Sequence, residues 1–163
     1  FARRLGDHRM RGRARLFRAE LDVYVGRHAD ARPFLLEASR AAERAKDRVT
    51  MEMAAAFLRA GEPEPAARLE VPITGVPVAD LAWLVIEGSR RRRAGDEVHA
   101  ARLLEGATQV ERVARVHVLL RLATLRATGR ASLAERLVRA LASQVRAGSA
   151  RRRFLAFAEQ VRL

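Results

Sequence analysis

The chain has 163 residues, 49% of them hydrophobic, with a formal charge of +13 from 32 basic and 19 acidic side chains and no cysteine. That length can bury one sizeable core, and the absence of thiols excludes disulfides, cysteine-ligated zinc and thiol catalysis, and argues against a small secreted scaffold. No apolar run is long enough to span a membrane, and the N-terminal arginines lead into no signal-peptide core, so the expected compartment is the cytoplasm. Phe1 stands where a start Met would, which makes the chain read as a piece of something longer.

Ala, Leu, Arg and Glu dominate, which suits helices, and no alternating β-branched run suggests a sheet. A basic excess favours polyanions or acidic partners. Lys46 is the single lysine, however, so a GC-rich codon bias accounts for the arginines equally well.

In chain order, residues 1–11 read as the remnant of an upstream helix or repeat, ending near Gly6-Asp7. A first helix runs from about residue 8 or 11 to 25, with Leu16, Ala19 and Val23 on one face. Gly26 stops it. Asp30 is the expected cap of the second helix, with Pro33 in its first turn, and that helix ends near Lys46. A third helix spans 48–60 and stops at Gly61. Pro63 and Pro65 open a short fourth helix that Pro72 ends, and residues 72–78 read as loop. Asp80 is the expected cap of a fifth helix through about Arg93. Gly95 and Asp96 begin a sixth, which Gly106 closes. A strongly apolar seventh covers about 109–127. Ser132 with Glu135 forms an expected capping box for the eighth, which Gly148 ends. Ser149 is placed as the cap of a last helix to Leu163, with Phe154, Leu155 and Phe157 facing inward.

The stops recur. Gly26, Gly61, Gly95 and Gly129 lie 35, 34 and 34 residues apart, and five residues after each comes Ala31, Ala66, Ala100 or Ala134. A fixed period of this size is the mark of a repeat protein. One helical hairpin cannot bury its own apolar face, so hairpins stack and share a core.

With the glycines aligned, the chain resembles a tetratricopeptide repeat array, with units at 12–46, 47–80, 81–114 and 115–148 and a capping helix at 149–163. The small eighth position of that family matches Ala19, Ala54 and Gly88, where the fourth unit has Leu122. The twentieth matches the four period alanines. The twenty-fourth matches Leu35, Leu104 and Val138, where the second unit has Glu70. The resemblance implies an all-α, right-handed α-solenoid of about four helix-turn-helix units. It also implies a concave groove, lined by the first helix of each unit, that holds a partner peptide. The positions that resemble this lining are Leu16, Met51, Val85 and Leu119 at the fifth, Glu20 among those at the ninth, and Tyr24, Arg59, Arg92, Arg93 and Arg126 further along. The clamp by which chaperone-binding members hold a terminal carboxylate is missing. An apolar strip edged by arginines suits an amphipathic, acidic segment.

The run Arg90–Arg93 reads as an anion contact or as a solvated helix end, where arginine suits the helix dipole. His8, His28, His99 and His117 show no ligand spacing, so no metal is expected. No phosphate-cradling loop, nucleotide fingerprint or nucleophile context appears, so neither cofactor nor catalysis is expected. The expected function is a protein-interaction module within a larger regulatory protein. In style the chain resembles the helical sensor regions of large bacterial transcriptional regulators of the maltose-activator and antibiotic-activator types. The alternative is a helical-repeat domain that binds nucleic acid through its arginines.

Overall fold

The computed structural model describes residues 2–63, 71–110 and 117–163. Eight α-helices lie among them: α1 (Ala2–Tyr24), α2 (His28–Ala45), α3 (Arg48–Ala60), α4 (Pro77–Arg93), α5 (Glu97–Val110), α6 (Val118–Ala127), α7 (Ala131–Gln144) and α8 (Ser149–Gln160). The described residues contain no strand. The short helix expected after Pro63, together with Ala66 and Glu70, lies outside the described residues.

One turn geometry recurs at three of the four glycines of the period. After α1, Gly26 takes φ +78°, its N–H donates to Val23 O, and the Arg27 N–H donates back to Asp22 O at 2.8 Å. The Arg27 carbonyl then accepts from Ala31 N and starts α2. The same arrangement recurs at Gly95 and Gly129. Asp96 N–H reaches Arg91 O at 2.9 Å, Arg130 N–H reaches Leu125 O at 2.8 Å, and Ala100 and Ala134 receive the new helix. This is the glycine-terminated turn in which a left-handed residue lets two amides satisfy the orphan carbonyls of the helix end. The turn between α2 and α3 repeats it with Lys46 at φ +52° and Asp47 N–H on Ala42 O. Gly61 departs, with φ −93°. Its place is explained by packing, since a Cβ there would stand 2.8 Å from the His28 Cβ.

Several expected boundaries move. α1 runs through Gly6 without a break. Asp30 and Ser132 lie inside the first turns of α2 and α7, whose N-caps are Arg27 and Arg130 without side-chain caps, and Pro33 stands inside α2. After a left-handed residue the chain re-enters a helix at once, before the capping residue is reached. α4 begins at Pro77, so Asp80 is not its cap. Asp80 instead accepts from Thr74 N and Thr74 Oγ1, each at 2.7 Å, and pins the preceding loop. α5 passes through Gly106, which packs against Leu84 of α4. Of the long helix expected at 109–127, Gln109 and Val110 belong to α5 and residues 118–127 form α6, while 111–116 lie outside the described residues. α7 stops at Gln144.

Each helix packs on its sequence neighbour, and α1 also meets α3, as α4 meets α6. Small residues set the close approaches. Ala19, Ala31, Ala38, Ala54, Ala100 and Ala107 are fully buried. A Cβ on Gly88 would fall 2.8 Å from Leu104 Cγ, so only glycine lets α4 lie this close to α5 without displacement of Leu104. Tyr24 and Phe57 meet edge to face with centroids 5.6 Å apart. The two ends of the fold also touch, because Arg162 N–H, just past α8, donates to Tyr24 O at 2.7 Å and Val161 is fully buried.

Candidate functional site

The arginine run at the end of α4 divides by helical geometry, since each residue turns the side chain by about 100°. Arg90 and Arg91 point inward and are 3% and 7% exposed. They converge on buried Glu87, whose Oε2 accepts from Arg90 Nη1 at 3.0 Å, while Arg91 Nε stands 3.3 Å from Oε1. Arg59 of α3 joins them, with its Nε 3.5 Å from the same carboxylate. Arg90 also donates to the Glu62 carbonyl and Arg91 to Asp96. Arg59, named from the sequence as a groove residue, is therefore held in a buried ion network that ties α3 to α4. Backbone carbonyls and Asp96 take further donors of Arg90 and Arg91, while Arg59 Nη2 is buried without a hydrogen-bond partner among the described residues.

Arg92 and Arg93 face the other way. With Arg126 of α6, Arg162 and Ser89 they line a recess of about 460 Å³ that has no acidic side chain in its wall. Two of these arginines also close helix ends. Arg92 Nη1 donates to Ala127 O at 2.8 Å, at the end of α6, and Arg126 Nη1 donates to Val161 O at 2.8 Å and to Ala158 O, at the end of α8. Guanidiniums placed on helix C-termini interact favourably with the dipole, and their planar forks leave further N–H groups directed at the recess. Arg93 has no acidic partner among the described residues. Burial and the charge of Arg90 lower its pKa, and its own charge joins burial in lowering that of His28.

The remaining expected groove residues scatter. Val85 is fully buried and belongs to the core. Tyr24 is buried against Phe57, and Met51 is half-buried on α3. Tyr24 and Leu119 line a different cavity, between α1, α3 and the start of α6, together with Glu20, Arg13, Thr50 and His117. Burial pushes Glu20 up to about 7, and lowers His117. Arg162 was not legible as a site residue, because its place depends on where the chain past α8 folds back.

Among the described residues no group of three or more His, Asp or Glu could hold a metal ion, and no helix is long and apolar enough to cross a membrane. Comparison with family models, with curated proteins and with solved structures finds no match to this chain.

Proposed function

We propose that the chain is a protein-interaction module: a tetratricopeptide-like helical array that holds an acidic, amphipathic segment of a partner protein. The observation that carries this reading is the recess in which Arg92, Arg93 and Arg126, brought from two helices, meet in a lining that holds no acidic side chain, the exposed Glu97 standing outside it at 3.8 Å from Arg92. Each guanidinium can take a carboxylate in a two-bond fork. The apolar floor of Ala123, Ala127 and Leu163 suits the hydrophobic side of such a segment. Three turns of one geometry at the glycine period support the array itself. In this reading the module has no chemistry of its own and serves as the sensing or scaffolding region of a larger cytoplasmic regulator.

A labelled peptide alternating Glu and Leu, titrated into the chain at rising salt, tests the reading. Arg92→Ala with Arg93→Ala should weaken its binding by roughly tenfold or more, the usual weight of one or two lost charge-assisted hydrogen bonds. Equal binding by the variant would exclude the recess. Tighter binding of single- or double-stranded nucleic acid than of the peptide, with a steep salt dependence, would favour the nucleic-acid reading instead.

A further inference from the structure

The second cavity encloses about 630 Å³, within the range of small-molecule sites. Leu16, Met53, Val118 and Leu120 make its walls apolar, and Phe17 stands at its mouth, 62% exposed. Its acidic and basic lining groups are Arg13, Glu20 and His117. Arg13 is already engaged, since its Nε donates to Asp47 Oδ2 at 3.0 Å, and buried Asp47 is further held by Thr50. Among the described residues Glu20 has no ion-pair or hydrogen-bond partner. A half-buried carboxyl facing apolar walls without a donor is a costly arrangement, and a ligand that supplies the donor relieves it.

We propose that this cavity binds a small apolar amine, its ammonium group paired with Glu20 and its hydrocarbon body against Leu16, Met53 and Leu120. An anionic ligand would meet the Glu20 charge, and a hydrocarbon would leave the carboxyl unsatisfied. The net charge of +13 does not decide the matter, because solution screens charges beyond about 8 Å at physiological salt and the ion pair forms at contact. The site shares none of the recess arginines and does not rest on the reading above.

The geometry also sets a pH dependence. Glu20, pushed up to about 7 by burial, must lose its proton to pair with an ammonium. The groups that face it do not reverse this. Tyr24 is pushed well above its ordinary value by burial and by Glu20 itself, so it stays neutral. His117 is lowered by burial and, as it protonates on acidification, adds repulsion in the same direction. Arg13 keeps its charge beside Asp47, whose own pKa is lowered: burial raises it, but the hydrogen bonds from Arg13 and Thr50 outweigh that. Affinity for the amine therefore rises as pH passes upward through 7.

The test titrates hexylammonium, hexanol and hexanoate into the full chain at pH 8, read by calorimetry and by the Met53 methyl resonance. Hexylammonium should bind about tenfold tighter than hexanol, the weight of one charge-assisted hydrogen bond, with hexanoate weakest. The preference should vanish at about pH 5.5. Glu20→Gln should bind amine and alcohol alike while its thermal melt stays cooperative. An amine preference that survives in Glu20→Gln, equal binding of amine and alcohol by the unaltered chain, or no binding of any probe overturns the proposal. Tighter capture of a Leu-Lys-Leu peptide than of hexylamine overturns the assignment to a small molecule.

Discussion

Single side chains carry two of the sharper expectations. Glu87 is 2% exposed and neutralises part of the charge of Arg59, Arg90 and Arg91. Its removal leaves buried guanidiniums without a counter-charge, and breaking such a pair typically costs about 3–5 kcal/mol. Glu87→Ala should therefore lower the urea midpoint by far more than substitution of exposed Glu97, which faces Arg92 at 3.8 Å. Glu20 has the opposite sign. Its folded pKa of about 7 lies above its ordinary value of 4.5, so the folded state holds the proton more tightly than the unfolded one. Stability then falls as pH rises from about 4.5 to about 7, and the cost is complete above that window. Glu20→Gln should be more stable than the unaltered chain at pH 8, by on the order of 1–2 kcal/mol. The gain should fade toward pH 4.5 in paired denaturation curves.

Helix ends decide more at the scale of elements than helix interiors do. Gly26, Gly95 and Gly129 all sit in the left-handed region, where a Cβ costs roughly 1 kcal/mol or more. Lys46 occupies the same conformation with a side chain. Lys46→Gly should stabilise the α2–α3 turn by roughly 0.5 kcal/mol, after the added freedom of the unfolded chain is set against the relieved strain. A higher denaturation midpoint with an unchanged slope would confirm it. Three of the four period glycines were legible in the sequence because this turn demands a specific backbone angle, and Gly61 keeps the spacing with an ordinary angle. The caps were not. Asp30, Asp80 and Ser132 are good capping residues by type, but each helix had already begun before them. Asp80 found a better use in the loop, on Thr74.

Across the whole molecule, the segment after α8 returns to the end of α1. Arg162 donates to the Tyr24 carbonyl, and Arg126 reaches Ala158 and Val161. Closure of this kind couples residues that are far apart in sequence. Val161→Asp, which buries a charge at a fully enclosed site, should remove hydrogen-exchange protection at the Arg162 amide and at Gly26 and Arg27 of the adjoining turn. α5, which packs on α4 and α6, should keep its protection. Uniform loss across all helices would show instead that the fold opens as one cooperative unit.

The sequence by itself determined the helical class, the three repeated turns and the small residues at the helix crossings. Those depend on local backbone angles and on spacings within neighbouring helices. Only the tertiary structure decided the fate of the arginines. Neighbours in the run Arg90–Arg93 differ by about 100° of rotation around the helix and by which helix lies opposite. That contrast sends two of them into a buried network around Glu87 and leaves two at the recess with Arg126 and Arg162. Charge type can be read from a residue, but the partner that neutralises it is supplied by another part of the chain.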